Sequence, residues 1–300
     1  MIPAGGRRAR TGHARLVDKI VLGLTCAAML AASGLPALAQ SISVSELKDH
    51  THIHGLAVDR LDPSYLLIAT HHGLFRAAQD GKAELVSVVQ DFMGFTPDPT
   101  DPATLFASGH PSGGGNLGFI ASADNGRTWT QISPGVDGPV DFHQMTVSAS
   151  DPKVIYGAYG SLQISRDAGK TWSLGGPLPE KLIDLAASAK DVDTIYAATE
   201  GGLLVSPDGG TKWQPVIDGA PVSLVEMAGE TLYAFVVGRG LVRSAEGQPD
   251  FTAVGGDWNN QVLLHLAVDA KNPDRIFVAS HHGDVLMTTD GGTTWKQVGS

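Results

Sequence analysis

Cysteine is nearly absent. Cys26 is the only one in 300 residues, and it falls in an apolar run near the N-terminus. Once that segment is removed no disulfide, thiolate metal site or cysteine nucleophile is available, which excludes a blue-copper centre. Positive charge is scarce as well. Residues 1–39 hold Arg7, Arg8, Arg10, Arg15 and Lys19 against one acid, so the rest carries 16 Lys+Arg against 30 Asp+Glu, a formal charge of −14. That balance argues against nucleic acid and anionic membrane surfaces as partners. There is no phosphate-cradling loop, no Ser-centred elbow and no HExxH helix. No linker or low-complexity stretch divides the chain after its leader, so residues 40–300 read as one domain.

The leader has its own pattern. Basic residues precede an apolar run from Ile20 that ends in Ala37-Leu-Ala39, the order of a signal peptide with an A-x-A cleavage site before Gln40. Gly, Ser and Pro interrupt the run and no stop-transfer charges follow, which argues against a retained anchor. Arg7-Arg8 fits twin-arginine export badly, and Gly-Leu-Thr before Cys26 makes a poor lipoprotein box. The expectation is an exported protein, periplasmic or secreted, with no membrane attachment after cleavage.

What the chain has in abundance is one motif. Ser-x-Asp-x-Gly-x-Thr-Trp occurs at Ser122–Trp129 and Ser165–Trp172, with close variants at Ser206–Trp213 and Thr288–Trp295. The tryptophans step by 43, 41 and 82 residues, and 82 is twice 41. A degenerate copy, Ser244-Ala-Glu246-Gly-Gln-Pro-Asp-Phe251, keeps the same span in the gap. A fixed period near 41 means one supersecondary unit repeated, and short strands at that period predict a β-propeller. The motif resembles the Asp-box (BNR) repeat, and the resemblance covers nearly all of the chain after the leader. Sialidases, sortilin-type receptors and photosystem II assembly factors share it, so it implies fold far more than activity.

Each unit reads as strands A to D. An Asp-Pro or Asn-Pro turn follows strand A, strand B is an apolar run such as Tyr65-Leu-Leu-Ile-Ala69, and the box joins C to D. Six units start near Thr51, Asp91, Asp141, Lys181, Pro221 and Gln261, giving an all-β, six-bladed propeller. A seventh blade stays open should residues 41–50 and a split unit conceal one. Ser41–Leu47 is expected to add a strand that closes the ring against the last blade. The box itself has a structural role. Its Asp accepts turn hydrogen bonds, its Gly permits positive φ and its Trp fills the wedge between blades. Because the box is a C–D turn, B–C loops and D-to-A crossovers occupy the opposite face.

Nine of the ten histidines outside the leader fall where that opposite face should be. His52 and His54 lie at the start of blade 1, and His71-His72-Gly in its B–C loop. His110 is in the blade 2 B–C loop. His143 precedes strand A of blade 3 and aligns with His54, while His265 begins blade 6 and His281-His282-Gly repeats the blade 1 loop. His50 lies just upstream and faces either way. Ring closure brings blades 1 and 6 together, with the two His-His-Gly loops side by side over His52, His54 and His265. Imidazole is the commonest transition-metal ligand, so His52, His54, His71, His72, His265, His281 and His282 are the inner candidates for copper or zinc. His110 and His143 are outer ones, and Met93, Met145, Asp141, Asp184 and Glu200 lie near. The plain alternative is a set of solvated or structural histidines, with His-His-Gly inherited by blade duplication.

Two other classes compete. The sialidase mechanism needs three arginines on a carboxylate; Arg60, Arg127, Arg166 and Arg275 map to the Asp-box side, Arg239 alone to the candidate face, and no Phe/Tyr-Arg-Ile-Pro motif is present. A glycosidase-like hydrolase of this superfamily needs only two carboxylates across a sugar, with Asp91, Asp141, Asp184, Glu200, Glu226, Asp257 and Asp284 available. Trp258, outside any box, is either a sugar platform or a packing residue. The third class is an assembly scaffold gripping a protein partner on one face.

Overall fold

The structure, a computed structural model, describes residues 41–299, so the leader and its cleavage site lie outside the described residues. Six antiparallel sheets follow one another along the chain, each built from consecutive strands. The expected six blades are there, and among the described residues no seventh sheet exists. The A strands, Ile53–Val58, Met93–Pro97, Gln144–Val147, Leu182–Ala187, Val222–Ala228 and Leu263–Asp269, pack each against the next and the last against the first. They line the axis, and strands B, C and D step outward.

The apolar runs are continuous because a blade has no solvent face. Its middle strands are covered by a neighbouring blade on both sides, which calls for apolar residues at every position rather than at alternate ones. Strand B of blade 1, Tyr65–Thr70, is buried from Leu66 onward. The core accordingly divides into six clusters, each drawn from two adjacent blades.

The Asp boxes hold the outer turns as expected. Asp124 Oδ1 accepts the Thr128 amide at 2.8 Å and Oδ2 accepts its hydroxyl at 2.7 Å. Ser122 Oγ accepts the Gly126 amide at 2.8 Å. These donors hold the Asp124 carboxyl down at about 2, the Thr128 hydroxyl being the largest influence. Three of the four box tryptophans reach back one blade. Trp172 donates to Ser133 Oγ at 2.8 Å, Trp213 to the Pro177 carbonyl at 3.1 Å and Trp295 to the Gly255 carbonyl at 2.8 Å.

Blade 1 has no box, and its junction with blade 6 is closed by another device. The expected closing strand is not formed. Ser41–Ser43 pairs with Lys82–Leu85 on the outer edge of blade 1, making that blade five-stranded. The chain then turns into a helix, Val44–His50, capped by a reciprocal Ser43–Glu46 box. Val44 and Leu47, each 1% exposed, enter the cluster shared by blades 1 and 6. The helix thus fills the wedge that a box tryptophan fills elsewhere.

Near the axis, side chains stitch successive A strands. Thr146 Oγ1 accepts the Ala187 amide, Asp184 Oδ2 the Val225 amide, Ser223 donates to the Leu263 carbonyl and His265 Nε2 to the Ile53 carbonyl. Among the described residues no helix is long and apolar enough to cross a membrane.

Candidate metal centre

The A strands enclose a central cavity of about 980 Å³, lined among others by His52, His54, His143, His265, His281 and His282. A recurrent bulge aims residues into it. In blade 1 the pairing skips from Ile53–Thr70 to Gly55–Ala69, so His54 is the extra residue. The same skip falls on Ile183, Ser223 and Leu264 in blades 4 to 6.

The loop that carries His71 and His72 is tight for a local reason. Thr70 Oγ1 accepts the His72 amide at 3.0 Å and donates to the Gly73 carbonyl at 2.8 Å. Gly73 has φ +124°, and a Cβ there would lie 2.3 Å from Leu85 Cδ1. The glycine of His-His-Gly is a packing requirement. The crossover that follows is pinned between two B–C loops: Phe92 N–H donates to the Thr70 carbonyl at 3.1 Å and Asp91 N–H to the His110 carbonyl at 3.0 Å.

Asp91 ends up facing two histidines. His71 Nδ1 lies 3.1 Å from Asp91 Oδ2, and His54 Nε2 lies 3.7 Å from Asp91 Oδ1. The His54 and His71 rings meet edge to face at 4.1 Å, with His52 5.5 Å from His71. Donor atoms of His54, His71 and Asp91 all fall within 4.8 Å of one another, and among the described residues no other group does so. His54 Nε2 and Asp91 Oδ1 are both buried without a hydrogen-bond partner. Burial first, then His71, His265, His143 and His52, push the His54 imidazole down to about 3, so it is neutral near pH 7 and keeps a lone pair.

Asp141 gathers a second group one blade on. His143 Nε2 stands 2.8 Å and His110 Nε2 3.0 Å from Asp141 Oδ2, while Asp141 Oδ1 is buried and unpartnered. The bond to Asp141 raises His143 above its ordinary value.

The other expected residues have different surroundings. His265 donates Nε2–H to the Ile53 carbonyl, and burial pushes it down to about 4. His281 accepts the Val262 amide on Nδ1 at 3.1 Å, and its ring lies 3.8 Å from that of His282, tilted by 39°. His72 is exposed in its turn. Glu200 pairs with Lys181, and Arg239 donates to the Phe251 carbonyl at 2.7 Å toward the rim of blade 5. Trp258 packs edge-on against Phe235 and Trp295. Arginines are dispersed: Arg275 holds Asp269, Arg76 holds Asp59, Arg166 holds Asp193 and Arg60 the Asp98 carbonyl. Asp184 and Glu226 line the cavity deep in the channel, and desolvation pushes them up to about 7 and about 8.

In the sequence Asp91 stands out only as a hydrolase carboxylate and not as a ligand. A signal is nonetheless present: Asp91-Phe92 and Asp141-Phe142 occupy matching crossovers, each leaving a blade whose B–C loop bears a histidine.

Residues 163–174 match the BNR/Asp-box repeat family. No curated protein matches the sequence. Among solved structures, the GH74 enzyme of Niastella koreensis superposes with TM-score 0.56 at 17% identity, covering 82% of this chain and 45% of its own. The GH74 xyloglucanase of Xanthomonas campestris gives 0.55 at 17% identity over 86% of this chain and 46% of its own. YCF48 bound to D1 peptide gives 0.51 at 17%, covering 87% and 86%. The chain spans less than half the length of the two glycosidases, and at these identities the likeness is one of fold.

Proposed function

We propose that this Asp-box propeller is an exported metal-binding protein that holds zinc or copper between blades 1 and 2 through His54, His71 and Asp91. The observation that carries the reading is the facing pair of buried, unpartnered donors, His54 Nε2 and Asp91 Oδ1, 3.7 Å apart. Two ligands each about 2.0–2.2 Å from a tetrahedral ion are separated by about 3.4 Å, so a small adjustment seats an ion there. Without a cation or a water the pair leaves a buried acceptor and a buried imidazole nitrogen unsatisfied, at a penalty of about 1–3 kcal/mol each. The donor set has two imidazoles, a carboxylate and no thiolate, which suits zinc, copper(II) and iron(II). The exported site of action rests on the leader.

The test is metal content by mass spectrometry on full chain purified from the exported fraction, reading zinc, copper and iron together. Bound metal that falls about tenfold or more in affinity in His71→Ala and in Asp91→Asn supports the site. Protein that is metal-free and takes up neither zinc nor copper on titration removes it. The hydrolase reading is favoured by one observation, the two raised carboxyls Asp184 and Glu226 lining a cavity of about 980 Å³. Release of reducing sugar from a glycan panel, lost in Glu226→Gln, would put that reading first.

A further inference from the structure

The blade 2–blade 3 junction poses a problem of proton placement. His110 Nδ1 lies 2.8 Å from the Gly115 carbonyl oxygen. A carbonyl only accepts, so Nδ1 carries the hydrogen. In the neutral ring Nε2 then presents a lone pair, and it presents it to Asp141 Oδ2 at 3.0 Å. Two lone pairs at that distance repel unless a proton or a metal cation lies between them. On the other side His143 Nε2 meets the same oxygen at 2.8 Å. The second oxygen, Oδ1, is buried with no partner in a residue that is 3% exposed. A histidine whose far nitrogen is fixed by a backbone carbonyl, opposite an under-satisfied carboxylate, is the arrangement in which protein metal ligands are oriented.

The backbone repeats the blade 1–2 arrangement. Phe142 N–H donates to Ser108 Oγ at 3.0 Å, just as Phe92 N–H is held by Thr70. That places Asp141 beside the His110 loop as Asp91 is placed beside the His71 loop. We propose a second divalent-cation site, of the zinc or copper class, between His110 Nε2 and the Asp141 carboxylate, completed by His143. The three donors do not yet converge as His54, His71 and Asp91 do. His143, with a side chain 55% exposed, reaches the ion by rotating about its own χ1. The proposal rests on reading this face as metal-binding, but its residues are separate from those of the first site.

Equilibrium dialysis of the full chain against zinc chloride tests both. The expected result is about two zinc per chain in the parent protein. His110→Gln, a change on a half-exposed loop, and Asp141→Asn each leave about one, and Asp91→Asn also leaves about one. Should Asp141→Asn fail to fold, His110→Gln carries the test alone. About one zinc that persists in His110→Gln and vanishes in Asp91→Asn overturns the second site and keeps the first, with a proton holding His110 to Asp141. Zinc lost only in His110→Gln overturns the first site and keeps the second. A single zinc lost in either variant means one shared ion, which overturns the second site, and no zinc at all overturns both.

Discussion

Replacing Leu47 by alanine measures whether the short helix is a structural wedge or an appendage. Leu47 is 1% exposed and lies with Val44 among Ile53, Leu56 and Ala83 of blade 1 and Phe277, Val285 and Met287 of blade 6. Truncation at such a position loses the transfer free energy of the side chain and leaves a cavity, together about 2–5 kcal/mol. The other attachments of the helix are weaker. The Ser43–Glu46 capping box contributes about 1 kcal/mol. Lys48–Asp284, at 2.7 Å but with side chains 36% and 21% exposed, contributes least, because solvent and salt screen it. The expected order of damage is therefore Leu47→Ala, then Ser43→Ala, then Lys48→Ala. In a domain of this size about 3 kcal/mol lowers the melting temperature by roughly 6–12 °C. Thermal unfolding followed by circular dichroism reads the shift, and amide exchange reads where it acts. Exchange should rise first in the A and B strands of blades 1 and 6. A Leu47→Ala protein melting within about 2 °C of the parent would refute the wedge. It would leave ring closure to direct packing of Ile53–Val58 on Leu263–Asp269.

Two further outcomes follow from the geometry. Gly169→Ala places a Cβ 2.0 Å from Phe119 Cε1 at φ +79°, whereas Gly209→Ala at φ +68° meets nothing nearer than 3.6 Å. Denaturant unfolding should show about 2–5 kcal/mol lost in the first, combining strain and overpacking, and about 1–2 kcal/mol in the second; equal losses would mean the Phe119 ring gives way. Glu226 is pushed from 4.5 up to about 8, first by burial and then by Asp184. The folded state therefore keeps a proton that the unfolded chain has released, so stability falls as pH rises through that window. Asp184, raised from 3.8 to about 7, acts with the same sign. Glu226→Gln should flatten the stability–pH curve and be the more stable protein above about pH 8, and superimposed curves would refute the raised carboxyl.

The blades are legible in the sequence because the Asp box uses nearly all of its residues. Asp124, Gly126, Thr128 and Trp129 each have a backbone or interblade partner, so a substitution shows as a broken motif. The helix at Val44–His50 is masked by a competition of periods. Ser41-Ile-Ser-Val-Ser45 alternates like a strand, and that pattern outweighs the Ser43-x-x-Glu46 capping signature that overlaps it. The faces are legible from strand order. The donor set is only half legible, because a ligand is fixed by which nitrogen or oxygen lacks a partner, and those partners come from another blade. His71-His72-Gly73 and His281-His282-Gly283 are the same tripeptide. Yet His71 meets Asp91 across a junction, while His281 accepts the Val262 amide and the neighbouring Gly283 leaves room for Lys48 Cβ of the helix.

Partnering divides the histidines more sharply than position does. His265 and His281 each give one nitrogen to a backbone group of a neighbouring strand or crossover. Replacing either should loosen the ring before it weakens any ion. His54 has a buried nitrogen with no partner, and His110 has its far nitrogen held by Gly115 so that the near one faces a carboxylate. These are the nitrogens that a cation would satisfy. Three of the six buried, unpartnered side-chain atoms among the described residues are His54 Nε2, Asp91 Oδ1 and Asp141 Oδ1. Native interiors leave few such atoms unexplained, and here half of them lie where blades 1, 2 and 3 begin. The crowding of imidazoles on one face thus divides into two groups, those that stitch the ring near blade 6 and those that meet Asp91 and Asp141. Only the second leaves buried side-chain atoms without a partner.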